Sequence, residues 1–257
     1  MDRAVQSRKF IQGKNDLMTY EIRNQVALVT GANRGIGKAI LEAFMEAGAA
    51  KVYAAVRKPE SVTALTEAYG DRVVPLELDL TKPEIINKAA EVASDVSLVV
   101  NNAGVLTSTS ALSADAIEAL EYEINTNVYG LIRVAQAFAP VLKRNGGGVL
   151  VQVNSIASLK NVPEFTTYCA SKAAAYSVTQ ALKQILEEQG TAVISIHPGP
   201  TATDMGDDAG FEVADPPELV ASAVVAAIKS GQFHQFAGSM AENLGAAYRS
   251  FAEEMIE

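Results

Sequence analysis

The sequence predicts an α/β fold, a doubly wound parallel sheet built as a single domain. Short apolar runs alternate with amphipathic stretches of helical length along most of the chain. The first run leads into Gly31-Ala32-Asn33-Arg34-Gly35-Ile36-Gly37, a glycine-rich turn that opens a helix. Later runs end in polar or small residues: Asp79, Asn101–Gly104, Ser155 and Pro198-Gly199. In an open parallel sheet those carboxyl ends line the ligand crevice.

Composition sets the outer bounds. A chain of 257 residues with 49% hydrophobic content suits one packed α/β domain. Its longest apolar run, Leu219 to Ile228, is interrupted by Ser222 and falls short of a membrane span. A net charge of −9 argues against a nucleic-acid footprint. The single cysteine, Cys169, excludes an internal disulfide and fits a reducing, cytoplasmic setting. With only His197 and His234 and no cysteine cluster, no metal site is expected. Residues 1–17 carry Arg3, Arg8, Lys9 and Lys14 against Asp2 and Asp16 and lack an apolar core, so they do not form a secretory signal. They are read as a disordered leader or extension, with 18–257 as the domain and Met18 as a natural start.

The elements follow in order. Gln25–Thr30 is the first strand, and the helix after the glycine turn takes in Lys38–Ala47. Strand, glycine turn and helix together aim backbone N–H groups at a phosphate, although three glycines also make an ordinary tight turn. The spacing is Gly-x-x-x-Gly-x-Gly rather than the commoner Gly-x-Gly-x-x-Gly. Lys51–Val56 is the second strand. Where an acidic residue would meet ribose hydroxyls, this chain has Val56 and then Arg57, with Arg34 inside the glycine turn. Two guanidinium groups suit a 2′-phosphate, which favours NADP(H) over NAD(H); the alternative is two solvated surface arginines.

Val73–Leu78 is a third strand, Lys82–Ala93 a helix, and Val96–Val100 a fourth, buried strand. Asp79 and Asn101–Gly104 then fall where a cofactor would lie, while Asn102 could equally brace neighbouring strands. Ser113–Asn145 is helical with a break, and Asn127 interrupts its apolar stripe. Gly148–Val153 is the fifth strand, the Tyr168 helix runs to about Glu188, and Ala192–Ile196 is the sixth. The stretch Asp204–Asp215 reads as a mobile loop over the crevice. Pro216–Lys229 is a helix, Gln232–Phe236 a last strand, and Met240–Glu257 a terminal helix. Leu244, Tyr248, Phe251 and Met255 form the apolar face of that helix, assigned to packing.

Tyr168 and Lys172 stand four residues apart, on one face of a helix. A phenol titrates near pH 10, roughly, and a fixed ammonium beside it favours the ionised form, bringing proton exchange toward neutrality. Ser155, thirteen residues upstream of Tyr168, adds a hydroxyl that can donate or accept without changing charge. Together they can hold a carbonyl or alcohol oxygen and move a proton at it. Tyr-x-x-x-Lys also occurs in ordinary helices, so its weight rests on the cofactor evidence.

From about Gln25 to Met205 the chain resembles the short-chain dehydrogenases/reductases. The resemblance is carried by Thr30–Gly37, Asp79-Leu80, Asn101-Asn102-Ala103-Gly104, Asn127, Ser155, Tyr168 with Lys172, and Pro198-Gly199 with Thr203, in order and at matching spacing. It implies a Rossmann-type sheet and an NADP(H)-dependent carbonyl reductase or alcohol dehydrogenase. By that resemblance Gly31, Gly35 and Gly37 shape the pyrophosphate turn, with Asn33 and Ile36 touching it. Arg34 and Arg57 resemble the basic pair of NADP-preferring members. Asp79 and Leu80 flank the adenine; Asn101, Ala103 and Gly104 lie at the ribose region. Tyr168 is the general acid in reduction and base in oxidation. Lys172 bonds the nicotinamide ribose and depresses the phenol pKa, Ser155 orients the substrate oxygen, and Asn127 holds a relay water. Pro198, Gly199 and Thr203 hold the carboxamide.

The implied partner is a small or medium ketone, aldehyde or secondary alcohol, and the implied assembly a homodimer or homotetramer. The helices holding Asn127 and Tyr168 are the suspected faces. Pro200-Thr201 departs from the commoner family pattern, and the brevity of Asp204–Asp215 argues against a deep pocket for a large steroid. Two other functions compete: an NADP-binding sensor or scaffold without turnover, and a reductase of an imine or an acyl-thioester-linked ketone.

Overall fold

The computed structural model describes residues 19–256; the leader at 1–17 and Met18 lie outside them. Seven strands form one sheet: β1 (Val26–Thr30), β2 (Lys51–Val56), β3 (Val73–Glu77), β4 (Leu98–Asn101), β5 (Gly148–Val153), β6 (Thr191–Pro198) and β7 (His234–Ala237). Their spatial order is β3-β2-β1-β4-β5-β6-β7, and every neighbouring pair is parallel. The chain winds outward from β1 in one direction, returns, and winds outward from β4 in the other. β1 therefore pairs with both β2 and β4, and a crevice opens at that reversal.

Parallel strands must be covered on both faces, so they read as continuous apolar runs. β5 and β6 are buried at every position. Helices α1 (Gly35–Glu46) and α8 (Pro217–Ser230) cover one face, packing Ile40, Phe44, Val224 and Ile228 against it. On the other face lie α3 (Pro83–Val92), α5 (Gly130–Arg144) and α6 (Thr166–Glu187), after the short α2 (Thr63–Tyr69) and before α7 (Asp204–Asp208) and α9 (Ser239–Met255). Ile86, Phe138, Leu142 and Tyr176 fill that second layer.

The helix expected over 113–145 is three pieces. α4 (Ala116–Glu123) passes through a π-helical stretch at Ile124–Tyr129 into α5, and Asn127 sits in the π stretch. A π-bulge of this kind re-aims a side chain without ending the helix. The helix α2 was not anticipated, because its seven residues bury only Leu65 and show no periodic stripe.

The segment expected to be a mobile loop at 204–215 is instead tied down. Thr203 caps α7 by accepting from the Gly206 N–H at 3.2 Å, and Asp204 pairs with Arg34 at 2.6 Å. At the far end Asp215 bridges to Thr201 and accepts from the Ser239 N–H at 2.8 Å.

The expected apolar face of α9 also divides. Ala241, Gly245 and Ala252 are the buried positions, Tyr248 lies 3.3 Å from the Tyr176 hydroxyl, and Phe251 and Met255 are exposed. Gly245 lets the helix lie against the Phe236 ring, which any side chain there would strike.

Phe138 is completely buried in the second layer. Phe138→Ala should lower the unfolding free energy by about 3–5 kcal/mol, read as an earlier urea midpoint with an unchanged slope.

Candidate active site

The crevice at the β1/β4 reversal opens into a cleft of about 1270 Å³. Thr30 closes its floor. Its Oγ1 accepts from the N–H groups of Asn102 and Ala103 at 2.9 and 3.0 Å and faces Asn101 Oδ1 at 3.3 Å. Asn102 Nδ2 donates to the Thr30 carbonyl at 2.9 Å, so Asn102 is the strand brace that the sequence allowed. Asn101 differs from the expectation that it would sit at a ribose. Its side chain turns into the sheet and donates to Gln152 Oε1 at 2.7 Å, because alternate residues of a strand face opposite sides.

Gly31, Asn33, Arg34, Gly35, Ile36 and Gly37 line one arm of the cleft. A side chain at Gly37 would overlap the Gly31 carbonyl oxygen, and one at Gly35, where φ is +52°, would stand 3.0 Å from Thr203 Cγ2. At those two positions the turn is drawn too tight for any residue but glycine, leaving a bare backbone cradle at the start of α1 suited to a pyrophosphate. At the end of the same arm stand Arg57, Lys58 and Ser61, with Asp79, Leu80 and Thr81 opposite. Burial alone would raise the Asp79 carboxyl, but hydrogen bonds from Thr81 at 2.9 and 2.7 Å and the charges of Lys82 and Arg57 hold it below the usual range. Lys58, Ser61 and Thr81 were not singled out from sequence; their closeness to β2 and Asp79 was the available signal.

Ser155, Tyr168, Lys172, Gly104, Pro198 and Gly199 line the same cleft, and Ala103 and Thr203 lie against the glycine turn. Ser155 leaves β5 in extended backbone and starts a short 3₁₀ turn, its Oγ accepting from the Ala157 N–H at 3.1 Å. The Lys172 ammonium is buried, donates to the Val153 carbonyl at 3.1 Å and lies 5.8 Å from the Tyr168 ring centroid. Asn127 is buried beside it. Its Oδ1 accepts from the Val105 N–H, and its Nδ2 donates to the Val105 carbonyl and to Ser171 Oγ, all at 2.9 Å. Gly104 keeps these groups close: a side chain there would lie 3.1 Å from Asn127 Oδ1 and 3.7 Å from Lys172 Nζ.

The electrostatics correct one expectation. The ammonium four residues on was expected to lower the Tyr168 phenol. Desolvation instead raises it well above its ordinary value, although hydrogen bonding with Ser155 pulls the other way. Burial likewise brings the Lys172 ammonium down to about 8. Both charged forms lose water on entering the cleft wall, and no opposite charge replaces it. Without cofactor the phenol is therefore a firmly protonated donor.

Beyond Tyr168 the wall is mostly apolar, with Val105, Leu106, Tyr122, Val162, Phe165, Met205 and Phe211 facing the cleft. Phe165 and Phe211 meet edge to face at 5.8 Å. Met240 and Leu244 of α9 complete it, so part of the face assigned to packing faces the cleft. The brevity of 204–215 does not make the cleft small, because α7 and Phe211 are drawn across it as one of its walls. Cys169 is buried, its sulfur accepting from the Val162 N–H at 3.4 Å. Among the described residues, no group of three or more His, Cys, Asp or Glu could hold a metal ion, and no helix is long and apolar enough to cross a membrane.

A parallel sheet with a glycine cradle at its reversal and a Ser-Tyr-Lys set at its rim defines a dinucleotide-binding oxidoreductase class. Residues 25–212 match the short chain dehydrogenase family, and the chain belongs to it. It is 32% identical over 219 residues to a 3alpha-hydroxysteroid dehydrogenase of Mediterraneibacter gnavus, covering 82% of this chain and 84% of that one. A short chain dehydrogenase from Burkholderia cenocepacia, solved in complex with NADP, is 35% identical; the match covers 93% of this chain and all of that one, with a TM-score of 0.83. A short chain dehydrogenase/reductase from Burkholderia phymatum, solved with NAD, shares the fold at 21% identity and a TM-score of 0.80, over 93% and 98% of the two chains.

Behind the cleft, burial holds the His197 imidazole down at about 3, against 6.5 for the free ring. Between those values the unfolded chain binds a proton that the native chain refuses, so the ring costs nothing above pH 6.5 and destabilises increasingly as pH falls. Urea unfolding should show stability dropping between pH 6.5 and 4, and His197→Asn should make that drop shallower.

Proposed function

We propose that this chain is an NADP(H)-dependent carbonyl reductase, running as an alcohol dehydrogenase in reverse, with its domain spanning 18–257. The observation that carries the reading is the convergence of Ser155, Tyr168 and Lys172 on the cleft whose other arm is the glycine cradle. Two features support NADP(H) over NAD(H): no acid stands at the end of β2, and Arg57 and Lys58 line that end of the cleft. Arg34 completes the cationic end once an incoming phosphate displaces Asp204. Their pair is exposed on both sides and worth little in water.

When bound, the nicotinamide supplies or receives the hydride exchanged with the carbonyl carbon. Gly31, Gly35 and Gly37 shape the turn that takes the pyrophosphate, with Asn33 and Ile36 beside it. Pro198, Gly199 and Thr203 seat the carboxamide. Ser155 and Tyr168 donate to the substrate oxygen as negative charge builds there, and the phenol passes its proton across. The raised phenol suits this direction: it stays protonated until the oxygen it faces becomes a stronger base. Lys172 holds the ribose hydroxyls and returns the proton to Tyr168, and Asn127 anchors the relay water behind Lys172. The apolar wall suits a small-to-medium ketone or aldehyde with a hydrocarbon or aromatic body. A hydroxysteroid is a second reading, favoured by the named relative and by the size of the cleft. A homodimer or homotetramer in the cytoplasm accounts for the exposed Ile117, Tyr129 and Ile185.

Tyr168→Phe should lower reductase turnover by at least about 10²–10⁴-fold while the dissociation constant for NADPH stays within a few fold. Steady-state rates with fluorescence titration of NADPH read both. Unchanged turnover would remove Tyr168 from its role.

A further inference from the structure

His197 does not line the cleft, yet it stands directly against the residue that must aim at the substrate oxygen. It sits on β6 with no exposed surface. Phe236 stacks on one side of the ring at 5.1 Å between centroids, and Tyr176 meets it edge-on at 4.9 Å. Its Nδ1 lies 3.1 Å from both the Ser155 carbonyl oxygen and Ser158 Oγ, while Nε2 lies 2.8 Å from Ser195 Oγ.

The neighbouring donors fix the tautomer. Asn154 Nδ2 donates to Ser195 Oγ at 2.8 Å, so the Ser195 hydroxyl is free to donate, and the acceptor it meets is Nε2. Nδ1 therefore carries the hydrogen and shares it between the Ser155 carbonyl and Ser158 Oγ. Ser158 closes the turn: its own N–H donates to the Ser155 carbonyl at 3.0 Å, and its hydroxyl donates there too.

The geometry points to His197 as a positioning residue: its Nδ1–H pins the Ser155–Ser158 turn and so sets the direction in which Ser155 Oγ faces the cleft. This rests on the reading of Ser155 as the donor to the substrate oxygen. The turn needs such a brace because Ser155 stands two residues past the end of β5, beyond the last bond to β6 at Asn154. The ring is suited to the task. Buried and uncharged at any assay pH, it keeps one tautomer, and rings on both sides stop it turning.

Asparagine and glutamine separate positioning from simple core filling. The asparagine amide reaches the place of Nδ1, and the glutamine amide reaches that of Nε2. We would measure kcat, KM, the NADPH dissociation constant and the melting temperature for His197→Asn, His197→Gln, Ser158→Ala and Ser155→Ala.

His197→Gln should lower kcat by about 10- to 100-fold, the scale of a misplacement near 1 Å, with NADPH affinity and KM within about twofold. His197→Asn should recover most of that turnover at a similar melting temperature. Ser158→Ala should act in the same direction and less than additively with His197→Gln. If Asn and Gln lose turnover alike, in step with melting temperature, the proposal is overturned. It is also overturned if Ser155→Ala stops turnover while His197→Gln leaves kcat intact. Turnover that survives Ser155→Ala would overturn the reading of Ser155 itself, and this proposal with it.

Discussion

A threonine hydroxyl at the carboxyl end of β1 ties the two halves of the sheet together at the mouth of the crevice. Thr30 Oγ1 accepts two backbone N–H groups from the first residues beyond β4, and Asn102 returns a bond to the Thr30 carbonyl. Ladder pairing of β1 with β4 runs as far as Val29 and Val100, and beyond it, where the crevice opens, these side-chain bonds carry the junction on. The glycine turn hangs from one side of this joint, and Gly104, which keeps Asn127 and Lys172 close, hangs from the other. Loosening the joint would separate the cradle from the proton-transfer groups.

Burial governs the chemistry on the second half. Tyr168, Lys172 and His197 are all shifted in the direction that favours the neutral form, and desolvation is the first cause in each. A phenol, a reluctant ammonium and an uncharged imidazole therefore sit within one small volume in the free protein. Lys172 is the charged member of the three near neutral pH, and charge that builds on a ligand there meets a site of low dielectric where each donor counts for more than it would in water. Fixed donors that need no rearrangement are the useful ones there, which gives weight to whatever fixes Ser155.

Much of this was legible before the fold was known, for physical reasons. β2 and β5 begin and end where their apolar runs do, because buried parallel strands have no polar face to blur the boundary. The glycine turn, Ser155 and the Tyr168/Lys172 pair were readable because their spacing is imposed by covalent chain geometry. The direction of the phenol shift was not readable. Helical spacing brings Lys172 near Tyr168, but the depth of burial is a tertiary quantity. Asn101 and Asn102 are adjacent polar residues at a strand end, and only the pleat decides which faces the sheet. The order in 204–215 rests on local caps and on Asp215 reaching Ser239, well beyond it in sequence, while the cleft wall is assembled from five separate segments.

The central claim is that the cradle and the Ser-Tyr-Lys set act on one substrate carbonyl. The most direct measurement is loss of the reduced nicotinamide absorbance when purified protein is mixed with NADPH or NADH and a panel of ketones and aldehydes. The account predicts NADPH consumption matched by alcohol formation, faster with NADPH than with NADH. Tight NADPH binding with no consumption across the panel would contradict it and favour a cofactor-sensing role.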